Sequence, residues 1–248
     1  MRHTKKNRLT GKIKVIITAI VISWGLLGTV SAMAEKLPNL TPFPAADLVI
    51  EPQEDGSIFL RFTTLSWNKG SGPLELLGGN VDKVNGKQEV FQRIYSSPNS
   101  YRDVMAGSFE WHETHNHFHF DNYAIYTLQP VTANGASKRI GAKTTFCIMD
   151  TTLINHRLKG ASKRPVYNAC DLSVQGMSVG WGDEYHYSLD GQSLDISGLP
   201  DGDYNLEIEI DPKNRIIESD ETDNISTVLI RIADGVVSAQ TVIPTASQ

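Results

Sequence analysis

Trp111-His112-Glu113-Thr114-His115-Asn116-His117-Phe118-His119 gathers four of the chain's seven histidines into eight consecutive residues. Neutral imidazole is a ligand for copper, zinc, nickel and iron, and several at close spacing can share one ion. His115, His117 and His119 are spaced i, i+2, i+4, so on a strand they project from one face. A regular strand rising ~3.3 Å per residue would hold the outer two Cα atoms about 13 Å apart, too far for easy convergence. The spacing therefore predicts a bulge or sharp bend here. His112 falls on the opposite parity and reads as a supporting residue. No cysteine neighbours the cluster, which disfavours a structural zinc knuckle. Copper suits an all-imidazole site in an exported protein, while spacing alone leaves zinc, iron or a solvated histidine strand open.

A second cluster, Glu218-Ser219-Asp220-Glu221-Thr222-Asp223-Asn224, offers several hard oxygen ligands in one turn, as Ca²⁺ requires. From these residues alone, a solvated acidic hairpin loop explains it equally well.

The elements that must position these groups lie behind an export signal. Residues 1–34 carry six basic side chains and no acidic one, then an apolar run from Val15 to Val30 and the small residues Ser31-Ala32-Met33-Ala34. That order is a signal peptide cleaved after Ala34, leaving no stable membrane anchor and a secreted or periplasmic protein. An uncleaved anchor is the alternative. The remaining chain has 17 basic against 28 acidic side chains, a net charge of −11, which argues against a nucleic-acid partner. Export places Cys147 and Cys170 in an oxidising compartment, so one disulfide closing a loop of twenty-odd residues is expected, with two buried thiols as the alternative.

Strand signals outnumber helix signals. Lys36 to Ala46 reads as an irregular lead-in, Ser57–Leu65 as a β-branched and aromatic strand, and Trp67–Gly79 as glycine-rich loop. Phe118–Leu128 and Thr144–Ile148 are β-rich. Tyr204–Ile210 alternates apolar and polar residues, Asp211–Asn214 is a turn, and Ser226–Ile232 is its return strand. Ala233 to Gln248 reads as a loose, flexible tail. The expectation is a single all-β domain over residues 47–232, mainly antiparallel and sandwich-like, with long functional loops and little helix.

Several stretches together resemble one family. The Trp-His-x-x-His-x-His-x-His pattern resembles the copper-binding segment of lysyl oxidases. Gly141-Ala-Lys143-Thr-Thr-Phe-Cys147-Ile-Met-Asp150-Thr151 resembles a second stretch of the same family. So do Gln175-Gly176-Met177-Ser178-Val179-Gly180 with Asp183-Glu184-Tyr185, then Gln192–Ile196, Gly202-Asp203-Tyr204 and the acidic cluster. The resemblance spans residues 47–232. It implies that His115, His117 and His119 bind Cu(II), and that Lys143 and Tyr185 cross-link into lysine tyrosylquinone. It also implies a calcium ion held by Asp47, Leu48, Glu218, Asp220, Asp223 and Asn224.

The implied activity is oxidation of primary amines, either lysine side chains or small amines, to aldehydes. O₂ is the acceptor, and ammonia and hydrogen peroxide are released. A general base must take the α-proton. Animal members of the family carry a histidine shortly after the copper cluster where this chain has Ile125, so Asp183 and His186, flanking Tyr185, are the local substitutes. Two other readings compete. Asp121-Asn122-Tyr123 is similar to the signature of other copper amine oxidases, but the next residue is Ala124 rather than an acid. A non-catalytic exported copper-binding or buffering domain would use the histidines and leave Lys143 and Tyr185 idle.

Overall fold

The computed structural model describes Met1 and residues 34–113, 116–132 and 135–243. Residues 2–33, on which the expected export signal falls, Thr114, His115, residues 133–134 and the last five residues lie outside the described residues. Sixteen strands occur among the described residues, and no helix. In chain order they are β1 (Leu40–Pro42), β2 (Ala46–Pro52), β3 (Ile58–Asn68), β4 (Leu74–Asp82), β5 (Lys87–Ser97), β6 (Ser100–His112), β7 (His117–Phe120) and β8 (Ala124–Pro130). There follow β9 (Arg139–Ile140), β10 (Thr152–Leu153), β11 (Val174–Met177), β12 (Trp181–Tyr185), β13 (Ser193–Asp195), β14 (Gly202–Ile210), β15 (Ile225–Ala233) and β16 (Val236–Ile243). The fold is all-β, and every described strand pairing is antiparallel.

Three sheets form. One runs β1-β3-β12-β10 with β2 and β13 also on β3, one runs β11-β4-β5-β6-β7, and one runs β16-β15-β14-β8-β9. Period-2 patterning decides which faces meet. Tyr204, Leu206, Ile208 and Ile210 of β14 and Val228, Ile230 and Ile232 of β15 are buried, while Asp203, Asn205, Glu207 and Glu209 point outward or lie half-covered. They join Leu60 and Phe62 of β3, Leu74 and Leu76 of β4, and Phe109 and Phe120 in one core.

Several segments differ from the sequence reading. Trp67–Gly79 is not loop throughout, because β3 runs to Asn68 and β4 begins at Leu74. Its Gly78 and Gly79 stand at a register shift inside β4, where a Cβ on Gly78 would lie 1.8 Å from the Leu172 carbonyl oxygen. Gly78 thus marks close backbone approach inside a strand, and Gly79 makes room for the Phe91 ring, 2.7 Å from an added Cβ; neither is a turn. The stretch Phe118–Leu128 is broken at 121–123, where Asn122 adopts φ +56° and splits it into β7 and β8. Thr144–Ile148 makes only a single bridge, Phe146 to Phe120. The expected loose tail carries β16, paired along β15, and the lead-in contains β1. Edge pairing of this kind follows from the neighbour's open backbone groups, which local composition does not reveal.

Candidate functional site

The bend expected at the histidines is a hairpin. β6 pairs antiparallel with β7, with Asn116 at φ +55° and its N–H donating to the His112 carbonyl at 2.8 Å. Reversal places His112 directly opposite His117 in register. The His112 ring stacks on His119 with centroids 4.5 Å apart, a contact that suits a supporting residue. Nε2 of His117 and Nε2 of His119 lie 2.8 Å apart, and His119, 1 % exposed, sets its other ring nitrogen 3.2 Å from the Thr145 hydroxyl. A contact on Nδ1 orients the imidazole and aims Nε2 at the site. Burial, with the His112 and Lys143 charges nearby, pushes His117 below the usual histidine range, favouring the neutral form that binds metals. Among the described residues no group of three or more His, Cys, Asp or Glu side chains could hold a metal ion. The third expected ligand, His115, lies outside the described residues.

Lys143 sits on the segment after β9, which threads between the histidine strand and β12. Gly141 N–H donates to the Tyr126 carbonyl, Phe120 and Phe146 exchange both backbone hydrogen bonds, and Thr151 N–H donates to the Gly182 carbonyl. The buried amide of Gln175 ties this segment to β7, accepting from Ile148 N–H at 3.1 Å and donating to the Phe118 carbonyl at 2.9 Å. Tyr185 ends β12, half-buried, with its hydroxyl donating to the Cys147 carbonyl at 2.6 Å. Lys143 Nζ stands 4.6 Å from the Tyr185 ring centroid and 5.0 Å from that of Phe146. Phe146 packs perpendicular to Tyr185 at 5.0 Å and also against Tyr123 and Tyr126, so it locks the Tyr185 ring to the core. No local motif chemistry singles out Phe146; only packing reveals it.

A cavity of about 290 Å³ opens on these groups, lined by His117, Lys143, Asp183 and Tyr185 with Met149, Leu189 and the Cys147–Cys170 bridge among its walls. Burial holds the Lys143 ammonium down to about 8, opposed by the Asp183 and Asp190 charges. Burial also pushes the Tyr185 phenol up, helped by the Asp183 charge. Asp183 is 3 % exposed, accepts from Met149 N–H at 3.3 Å, and is raised well above the carboxylate range by burial. His186 is exposed, holds Ser188, and does not line this cavity. Tyr123, the residue of the competing signature, is buried with its hydroxyl on Ser66 at 2.7 Å.

Cys147 and Cys170 form the expected disulfide. It clamps the two segments that flank β7, since Phe118 N–H donates to the Cys170 carbonyl while Phe120 pairs with Phe146. Closing a loop with a sequence separation of 23 contributes about 3 kcal/mol through the unfolded state. The double variant Cys147→Ala/Cys170→Ala is expected to melt roughly 6–12 °C lower, by calorimetry.

In the acidic cluster, both Glu218 oxygens are engaged, one by Leu40 N–H and the other by Asn224 Nδ2 at 3.0 Å. Burial lifts Glu218 to about 8. The buried Oδ1 of Asn224 has no hydrogen-bond partner among the described residues. Asp223 pairs with Lys69, and Asp220 accepts from Thr222 N–H and its hydroxyl. Asp47, exposed at φ +48°, and half-buried Leu48 lie on β2.

Comparison with known proteins gives this arrangement a context. Residues 94–241 match the family model described as lysyl oxidase. The chain is 30 % identical over 199 residues to lysyl oxidase homolog 2B of Danio rerio, covering 73 % of this chain and 24 % of that protein. It is 34 % identical over 133 residues to lysyl oxidase homolog 1 of Homo sapiens, covering 53 % and 22 %. Against lysyl oxidase homolog 3A of Danio rerio it is 37 % identical over 118 residues, covering 47 % and 15 %. The matched stretch thus spans less than a quarter of each of these relatives. The family match runs from β5 to β16 and includes the histidine hairpin, the Lys143 segment and Tyr185. This chain belongs to the lysyl oxidase family.

Proposed function

We propose that the chain is an exported, copper-dependent oxidase that converts primary amines, on lysine side chains or small molecules, to aldehydes with O₂ as acceptor. The observation that carries this reading is Lys143 Nζ lying 4.6 Å from the Tyr185 ring beside the paired His117 and His119 nitrogens. The two Nε2 atoms converge to 2.8 Å, so two imidazole donors already face one point where a shared ion could be held. His117 and His119, with His115, would hold Cu(II). Lys143 and Tyr185 would be joined as lysine tyrosylquinone. Copper and that quinone supply the electron sink that no unmodified side chain offers. The chain's own residues do the rest. Met149, Leu189 and the disulfide wall the amine from water, and Asp183 takes the α-proton. Export through residues 1–34 fits the bridge between Cys147 and Cys170.

The test is aerobic copper loading of the metal-free protein followed by peptide mapping and peroxide assay with a primary amine. A Lys143–Tyr185 cross-linked peptide and amine-dependent peroxide are expected. Two unmodified peptides from fully copper-loaded protein would leave only a metal-binding module.

Calcium at Glu218, Asp220, Asp223 and Asn224, with Asp47 and Leu48, belongs to the same reading. An orphaned buried amide oxygen beside a buried carboxyl is the donor chemistry that a hard cation satisfies. Raised above its unfolded value, Glu218 contributes stability that is full below about pH 4 and lost as pH rises through about 8. A cation binds the ionised form, so calcium should raise the melting temperature strongly at pH 8 and little at pH 5. At a hundred times its dissociation constant the gain is about 2.7 kcal/mol. Identical melting in calcium and in chelator at pH 8 would count against it.

A further inference from the structure

After Tyr185 the chain turns through residues 186–191 before entering β13, and this strap lies directly on Lys143. Asp190 accepts Lys143 Nζ through its carbonyl at 3.2 Å. At Gly191, φ +75°, an added Cβ would stand 2.9 Å from Lys143 Cδ and 3.2 Å from Lys143 Cβ, so the strap backbone touches the lysine stem. Within the strap, Leu189 N–H donates to the His186 carbonyl at 3.0 Å, Gln192 N–H to the Leu189 carbonyl at 3.2 Å, and Ser188 N–H to His186 Nδ1 at 3.3 Å, all of them contacts between near neighbours in sequence.

The strap is gripped from outside chiefly by one guanidinium. Arg61 on β3 donates from Nε to the Tyr187 carbonyl at 2.8 Å and from Nη2 to the Leu189 carbonyl at 2.9 Å. Its Nη1 donates to Glu51 Oε2 on neighbouring β2, at 2.9 Å. The planar fork of a guanidinium can bind two carbonyls and a carboxylate at once, which an ammonium cannot match in fixed geometry. Tyr187 N–H, donating to the Thr63 hydroxyl at 3.1 Å, fastens the strap's near end to the same strand.

We propose that Arg61 is a positioning residue for the cofactor: by holding the 186–191 strap against β3, it presses the Lys143 stem toward the Tyr185 ring and sets the rate at which the two are joined. The proposal rests on the functional reading of Lys143 and Tyr185. Joining them takes up two molecules of dioxygen. One leaves an oxygen atom on the ring and departs as water. The other accepts two hydrogens and departs as hydrogen peroxide. In exchange the ring loses two C–H bonds and its phenolic hydrogen, and the lysine nitrogen loses one N–H, forming one new C–N and one new C–O link.

Metal-free protein is loaded with Cu(II) in air, quenched at intervals, and the joined Lys143–Tyr185 peptide is counted by mass spectrometry. Displacement of a reacting group by a fraction of its correct position slows reaction steeply, so Arg61→Gln is expected to lower the joining rate by about tenfold or more. Copper uptake and melting temperature, measured alongside, should stay near wild type, which a merely structural role would not allow. Arg61→Lys should remain slow, because restoring charge does not restore the fork. An Arg61→Gln protein that folds, binds copper and joins the two residues at the wild-type rate overturns the proposal. Should that variant not fold, Glu51→Gln, which frees the guanidinium while leaving it in place, takes over: a rate reduced several-fold supports the proposal, and an unchanged rate overturns it. Wild-type protein that never joins the residues is a different result, and removes the functional reading itself.

Discussion

Lys143→Met is expected to abolish amine-driven peroxide release, a fall of at least about a thousandfold, since the proposed cross-link with Tyr185 would consume that residue. The same side chain makes a sharper prediction through pH. Only a neutral amine can attack the oxidised ring. With Lys143 held at about 8, roughly a tenth of it is neutral at pH 7 and about half at pH 8. The rate of joining after copper addition should therefore rise steeply from pH 6 to 8 and level off soon after. A cation on the neighbouring histidines would move the plateau to lower pH, never higher. A rate that still climbs tenfold per unit beyond pH 9 would mean that Lys143 is an ordinary solvated lysine.

Stability gives an independent check on that reasoning. Because the folded-state value lies below the unfolded one, Lys143's contribution to stability is present above about pH 10 and lost as pH falls through about 8. Burying a charge-bearing group here opposes folding at neutral pH. The metal-free Lys143→Met protein should consequently be no less stable than wild type at pH 7, by chemical denaturation, although it is catalytically dead. Loss of activity together with loss of fold would point to packing instead.

Asp183→Asn should lower kcat by 10²–10⁴-fold, the usual contribution of a positioned proton acceptor. Its carboxyl, buried in the same cavity as Lys143 and Tyr185, is a stronger base than a solvated carboxylate for the reason that it is hard to ionise there. The asparagine oxygen can still accept from Met149 N–H, so local structure survives. Two readouts separate loss of proton transfer from loss of cofactor. The joined Lys143–Tyr185 peptide should persist in the variant, and the isotope effect with α-deuterated amine should grow as proton removal becomes limiting. His186→Phe, which alters an exposed ring away from the cavity, should leave kcat within about twofold. Equal losses from both variants would assign Asp183 no special part.

Legibility differed between the ligand-bearing elements and their supports. Histidine clustering, strand alternation in Tyr204–Ile210, and the pairing of two cysteines are short-range patterns, and each has a counterpart in the folded chain. His112, read as a supporting residue, stacks on His119 because the hairpin folds the next strand back across it, a contact that parity along one strand does not reveal. Gly78 was misjudged because glycine serves tight turns and close backbone approach alike, and only the Leu172 carbonyl distinguishes them. His186 neighbours Tyr185 in sequence yet faces solvent, because one residue of turn suffices to rotate a side chain off the cavity.

Residue type and order by themselves determined the β class and the clustering of imidazole donors, since donor chemistry and period-2 burial are properties of the chain, while Lys143 and Tyr185 stood out only through the family resemblance. Tertiary structure alone decided that Lys143 lies against Tyr185 across 41 intervening residues, that Phe146 locks the ring, and that Arg61 grips the strap over them. Those contacts join segments distant in sequence, and their geometry is set by how three sheets pack, which no local pattern encodes.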